Sequence, residues 1–288
     1  MSDWQSVVRR LAERGIELTD TAAPVGAGAN AIGRADSYTG PVFLKICPAD
    51  DRERLVGEAE GLTELAAAGS IRVPRVLALV EAGGTACLAL EWLAFEPPDR
   101  SVEARFGAEL AALHRHTRER FGWHRDNTIG LSPQINTPDD DWSCFWGVRR
   151  LAYQLELAAR RGYGGELQEA GERLIGNLER LLADHQPAAS LLHGDLWGGN
   201  WAAVAGRPVI FDPAVYYGDR ETDLAMTRLF GGFGPAFYRA YDEAWPPSPG
   251  RERRLGLYQL YHVLNHLNLF GSGYLRRALR IMRELNRL

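Results

Sequence analysis

Lysine is nearly missing from this sequence: of its 33 basic residues, all but Lys45 are arginine. The chain meets its general need for positive charge with a planar guanidinium. A surviving lysine therefore points to a place that needs a compact, flexible ammonium. Cysteine is scarce as well. Cys47, Cys87 and Cys144 stand far apart with no CxxC or CxxH spacing, which excludes a disulfide framework and leaves reduced thiols as the expectation. There is no excess of basic charge, the formal net charge being −4, so no basic face is on offer to a nucleic-acid backbone. No apolar run approaches the roughly 18 residues of a membrane span. The opening Met1-Ser2-Asp3-Trp4 lacks the basic and apolar blocks of a signal peptide. A cytoplasmic protein with no nucleic-acid or membrane partner is expected.

What is present suffices for a large core. Hydrophobic residues make up 45% of the chain and aromatics 10%, and 288 residues can fold as one large domain or two lobes. Residues 4–14 carry Trp4, Val7, Val8 and Leu11 at helical spacing. Pro41–Ile46 reads as a strand between Gly40 and Pro48, and residues 52–68 as a helix. The runs Val76–Glu81 and Thr85–Trp92 flank Ala82-Gly83-Gly84, a hairpin signal. After Leu93 the texture changes. Residues 94–99 form the candidate linker, and helices are predicted over 101–118, 143–161, 166–184 and 252–270, with a strand pair near Ser190–Leu192 and Val209–Phe211. The expected fold is α+β and bilobal: a β-rich lobe over 1–93, then a mainly helical lobe over 94–288.

Chemistry concentrates in Leu191-Leu192-His193-Gly194-Asp195-Leu196-Trp197-Gly198-Gly199-Asn200. A strand ends, a His-Gly-Asp turn presents a carboxylate, and Asn200 follows five residues after it. Twelve residues past Asn200 a second strand ends in Asp212. Phosphoryl transfer to an alcohol needs these parts: one carboxylate to accept the hydroxyl proton, and an amide oxygen with a second carboxylate to hold Mg²⁺ against the phosphates. HGDxxxxN followed by a strand and Asp is the spacing of a kinase catalytic loop, with glycine where protein kinases carry arginine. Pro213 likewise stands where they carry Phe-Gly. Both departures point to a constitutively assembled small-molecule kinase. Asp195 becomes the candidate base, Asn200 and Asp212 the candidate metal ligands, and His193 a loop support; a bare turn cap is the blander reading of His193 and Asp195.

A kinase also needs, in order, a phosphate-covering loop, a strand lysine and a helix glutamate. The chain supplies Gly26-Ala27-Gly28, then Lys45, then Glu58 or Glu60. Only one glutamate can face Lys45, because positions two apart on a helix differ by about 200°. Glu91, Trp92 and Leu93 fall where a hinge would meet adenine through its main chain. Trp142 and Trp146 read as core. His262 and His266 lie four apart with no third histidine or cysteine to complete a zinc site, so a polar pocket wall is expected there.

HGDLWGGNW, DPAVYYGDRETDLAM and LYQLYHVLNHLNLFG, with GEAEGLTEL, IRVPRVL and FGWHRDNTIGLSPQ, resemble the fructosamine kinase (ketosamine-3-kinase) family from about residue 20 to 285. The resemblance implies ATP-dependent phosphorylation of the C3 hydroxyl of a ketosamine on a glycated amine. It implies Asp195 as proton acceptor, Asn200 and Asp212 on Mg²⁺, Lys45 with Glu58 on the phosphates, and Trp197 and His266 lining the sugar pocket. Asp223 would brace the catalytic loop, where the residues alone suggest a helix cap. Two departures stand out. Gly26–Gly33 has no cysteine, and Phe145-Trp146-Gly147-Val148-Arg149-Arg150-Leu151 replaces the family's commoner FFxExRL. The competing readings are an aminoglycoside or amino-alcohol kinase of the same fold and a nucleotide-binding pseudokinase scaffold.

Overall fold

The structure is a computed structural model and describes residues 3–20 and 31–288. Alternation places the sheet. In Gly40–Pro48, Val42, Leu44 and Ile46 join Val7 and Leu11 in one apolar cluster, whereas Cys47 belongs to a second cluster and Phe43 packs against it. Lys45 thus shares the face of Phe43 and Cys47, since neighbours on a strand point to opposite sides. Four antiparallel strands, β1 (Ala31–Ser37), β2 (Gly40–Pro48), β3 (Val76–Ala82) and β4 (Thr85–Glu91), lie in the order β1-β2-β4-β3. Helix α1 (Asp3–Ala12) packs its Val7 and Leu11 on one face of this sheet.

Helix α2 (Arg52–Ala68) packs on the other face and ends at Gly69, whose left-handed φ of 65° closes the last turn. It is held from its far side too. A Cβ on Gly57 would stand 3.1 Å from Asn127 Cβ, and one on Gly61 3.1 Å from Val215 Cγ2. Glycine at these two positions lets the helix backbone approach the rest of the molecule. The larger apolar cluster therefore runs unbroken from Leu55, Leu62 and Leu88 to Phe106, Leu192 and Leu264.

From residue 100 on, helices dominate: α3 (Arg100–His114), α4 (Trp142–Cys144), α5 (Tyr153–Arg160), α6 (Glu166–Gly176), α7 (Leu178–Leu181), α8 (Glu221–Leu229), α9 (Pro235–Ala244), α10 (Arg251–Phe270) and α11 (Leu275–Leu285). A π-helical segment, Phe145–Ala152, joins α4 to α5 in place of plain α-helix. Trp142 and Trp146 are core residues, as expected from their spacing. Short strands punctuate the helices: β5 (Thr117–Arg118), β6 (Asn127–Ile129), β7 (Ser132–Gln134), β8 (Ala189–Leu192), β9 (Trp201–Val204), β10 (Arg207–Ile210) and β11 (Tyr216–Gly218).

The predicted pairing of Ser190–Leu192 with Val209–Phe211 is corrected. β8 pairs with β11 and β5, and β10 pairs with β9 through a tight turn at Ala205-Gly206, both with positive φ. The helix predicted over 101–118 stops at His114, because Thr117 and Arg118 are drawn onto the edge of β8. Among the described residues, no helix is long and apolar enough to cross a membrane.

Candidate active site

The ends of β8 and β10 bring the two acids together. β8 delivers His193 to a turn that Gly194 makes possible: its φ is +82°, and a Cβ there would stand 1.9 Å from Ala214 O. That carbonyl is fixed in turn, since Ala214 N–H donates to His193 O at 2.8 Å and the Gln134 amide donates to Ala214 O at 2.9 Å. No side chain fits at position 194, so the glycine has a steric cause besides the missing regulatory arginine. His193 is fully buried. Its Nε2–H donates to Phe211 O at 3.0 Å and its Nδ1 accepts the Asp195 N–H at 3.3 Å, stitching the loop to the segment that carries Asp212. Burial holds its pKa below the usual histidine value, so the ring is neutral.

Asp223, the third residue of α8, accepts the N–H groups of His193 and Gly194 at 2.8 and 2.9 Å and lies 3.2 Å from His114 Nε2. Burial alone would raise this carboxyl, but His114 and the loop N–H groups hold it below its ordinary value. The loop is thus bound to a buried carboxylate rather than to solvent.

Asp195 stands differently. Burial, with the charges of Asp223 and Asp212 nearby, pushes its carboxyl up to about 7, against a weaker opposing bond from Asn200. Asn200 Nδ2 donates to Asp195 O at 2.9 Å and lies 3.4 Å from both Asp195 Oδ2 and Asp212 O, which leaves Oδ1 as the free oxygen. Asp212 adopts φ +56°, a conformation rare for a residue with a side chain and typical of strain held at functional sites.

Lys45 reaches across from β2. Its Nζ donates to Asp212 Oδ1 at 2.6 Å and pairs with Glu58 Oε1 at 2.6 Å. Burial works against the ammonium, but Glu58 and Asp212 outweigh it and its pKa lies above the usual lysine value. Glu60 faces away and holds His124 and Arg125, so the choice between Glu58 and Glu60 falls to Glu58. Lys45, Glu58, Asp195, Trp197, Asn200 and Asp212 line one cavity of about 390 Å³. A basic group, a carboxylate near neutrality and an oxygen pair able to take a hard cation meet there. These are the parts for moving a phosphoryl group onto a hydroxyl.

Glu91, Trp92, Leu93 and His266 are not among the residues that line that cavity. Gly26 and Gly28 are outside the described residues. Glu91 donates its N–H to Arg75 O at 2.9 Å, and its carboxylate takes Arg72 at 3.0 Å. The Trp92 ring lies under Arg34 and beside Phe43, and Leu93 packs with Val204 and Val209. His266 sits among Phe230, Phe270 and Tyr274, with Nδ1–H donating to His262 O at 2.8 Å. One other acidic cluster, His185, Asp219 and Glu221, has its oxygens occupied by Tyr258, Ser248 and Arg254.

Sequence reasoning missed the hairpin of β6 and β7. Asn127 donates to Val215 O at 2.8 Å and Gln134 to Ala214 O, while Asn136, the fully buried Arg150 and Tyr261 hold those amides in place. The Arg150 guanidinium pairs with no acid among the described residues and lies against the rings of Phe145 and Tyr216 at 4.6 and 4.2 Å. The amides Asn127, Gln134 and Asn136, three within ten residues, were the available signal.

The chain as a whole is similar to known proteins. The family described as fructosamine kinase matches residues 3–287. A Synechocystis sp. protein assigned as a ketoamine kinase is 45% identical over 248 residues, covering 85% of this chain and 83% of its own. The ketosamine-3-kinase of Mus musculus is 34% identical over 307 residues, covering 96% and 99%. A crystal structure assigned as a fructosamine-3-kinase from Thermobifida fusca superposes with a TM-score of 0.88 at 33% identity, covering 98% and 99%. An ADP-bound aminoglycoside phosphotransferase, APH(2'')-Ib, superposes at 0.61 with 15% identity over 98% of this chain and 96% of its own, a likeness of fold.

Proposed function

The chain belongs to the fructosamine kinase family, and from that membership we propose that it transfers the γ-phosphoryl group of ATP to the C3 hydroxyl of a ketosamine, as a step in deglycation. The enzyme is a small-molecule kinase of the protein-kinase-like fold. The observation that carries the reading is the meeting of Lys45, Asp195, Asn200 and Asp212 on one cavity.

In this reading Asp195 accepts the hydroxyl proton as the oxygen attacks phosphorus, and a carboxyl near neutrality suits a base working near pH 7. Lys45, held by Glu58, lies over the ATP phosphates as a point charge. Asn200 Oδ1 and the Asp212 carboxylate form a hard-oxygen donor pair that fits Mg²⁺, which would supply neutralisation of phosphate charge. His193 and Asp223 keep the loop rigid so that the base does not drift from its acceptor. The main chain of Glu91–Leu93 is assigned to adenine, Gly26 and Gly28 to the phosphate loop, and Trp197 and His266 to the sugar side. Residues 1–93 then form the nucleotide side and 94–288 the acceptor side.

The test is ATP consumption across free ketosamines, glycated lysine, glycated protein and aminoglycosides, with the phosphorylated position read by NMR. Phosphate on C3 of the ketosamines is expected. Turnover confined to the aminoglycosides would replace this reading with the other acceptor class, and no turnover with any acceptor would favour a scaffold.

A further inference from the structure

Of the nine large apolar side chains exposed among the described residues, four gather on the acceptor side of the catalytic loop. They are Leu131 (61% exposed), Trp197 (40%), Phe230 (39%) and Phe270 (68%), each from a different element. Several close approaches make this one surface. The Trp197 ring lies against Gly199, 2.3 Å from where a Cβ would be. Gly198 meets the backbone of Gly231 and Gly232 next to Phe230, with 3.0 Å from its built Cβ. A Cβ on Gly130, beside Leu131, would stand 3.1 Å from Leu269 Cδ1, and His266 joins Phe230 to Phe270 with ring centres at 4.8 and 5.2 Å. Apolar patches of this kind on a soluble protein mark binding surfaces.

At the edge of this surface stands Arg277. Its Nη2 donates to Leu229 O at 3.3 Å, its Nε is buried without a partner, and no carboxylate pairs with it among the described residues. Burial and the neighbouring Arg280 hold its pKa below the ordinary arginine value, while Tyr274 is its one favourable ionisable neighbour. A half-buried guanidinium with an unmet donor gains most from an anion.

We propose that the amine-bearing half of the acceptor lies along Trp197, Phe230, His266 and Phe270 and ends in a carboxylate bound by Arg277. Arg277 is then a specificity residue that favours an acceptor arm ending in a carboxylate over one ending in a methyl or an ammonium. This rests on the ketosamine kinase reading and narrows it. An alkyl arm covers the rings, and its terminal carboxylate supplies the pairing that Arg277 lacks.

Three ketosamines with the same sugar and arms of equal length test it: adducts of 6-aminohexanoate, hexylamine and 1,6-diaminohexane. The carboxylate arm is expected to exceed the neutral arm in kcat/KM on the order of tenfold, the low end for hydrogen bonds to a charged group. The cationic arm should fall below both. In Arg277→Met the ratio of carboxylate to neutral arm should drop to within about twofold, and Arg277→Lys should restore part of it. Because the ratio is taken within one protein sample, a loss of folded material does not change it. Equal use of all three arms by the unmodified protein would overturn the carboxylate site while leaving ketosamine phosphorylation intact. Failure to phosphorylate any of the three would instead overturn the reading on which it rests.

Discussion

Gly194 and Asp195 are neighbours whose replacement should have opposite effects on stability. Gly194→Ala drives a Cβ to within 1.9 Å of Ala214 O in a left-handed conformation, so it should cost about 3 kcal/mol or more, read from urea unfolding. Asp195→Asn keeps the shape and removes the base, so kcat should fall roughly 10²–10⁴-fold with little change in ATP affinity. Its effect on stability runs the other way. The native Asp195 carboxyl titrates at about 7 whereas an unfolded one titrates near 3.9, so the native state holds the proton more tightly. Stability from this group is complete at low pH and is lost as pH rises from about 4 to about 7. The asparagine variant escapes that loss, so its Tm relative to the parent should climb between pH 5 and pH 8. A Tm difference that is flat with pH would show that Asp195 is not held protonated by its surroundings. These two residues were legible in the sequence because their signal is local. A strand end, a His-Gly-Asp turn and an asparagine at fixed spacing need no distant partner to be recognised.

Helix α2 shows what local signals reveal and what they hide. Its span was readable to the residue, since the apolar positions repeat at helical spacing and Gly69 ends them. Its second set of contacts was not. Gly57 against Asn127, Gly61 against Val215, Arg125 on Glu60, and Tyr217 on Glu64 at 2.6 Å pin the helix to elements far along the chain. The hairpin of β6 and β7 escaped for the same reason. Three-residue strands interrupted by Pro133 have no period of their own and are held by amide bonds to Ala214 and Val215. Strand β1 was equally hidden, because Ala-Ile-Gly-Arg-Ala-Asp-Ser offers no apolar alternation. These contacts along α2 hold Glu58 in reach of Lys45. Gly57→Leu should force the helix off the hairpin and separate that pair. KM for ATP should rise and kcat fall while most of the secondary structure, followed by far-UV circular dichroism, persists. Unchanged ATP kinetics would mean that the hairpin does not hold the helix.

For the molecule as a whole, the texture change near residue 94 suggested two lobes, and the larger apolar cluster passes across that position without interruption. Unfolding should accordingly be a single cooperative transition, with calorimetric and van't Hoff enthalpies in agreement. Two resolved heat peaks would show that the sheet region melts on its own. The near-absence of lysine is also a property of the whole chain, and it bears on chemical durability. Sugars condense with free amines, and arginine's guanidinium is protonated and far less nucleophilic than an amine at neutral pH. The one ε-amine this chain owns is kept as an ammonium between Glu58 and Asp212, 2.6 Å from each. Prolonged incubation with ribose should therefore leave ketoamine adducts on the terminal amine alone, as counted by intact mass, and Lys45 unmodified. An enzyme proposed to act on sugar-damaged amines would itself carry almost nothing for sugar to damage.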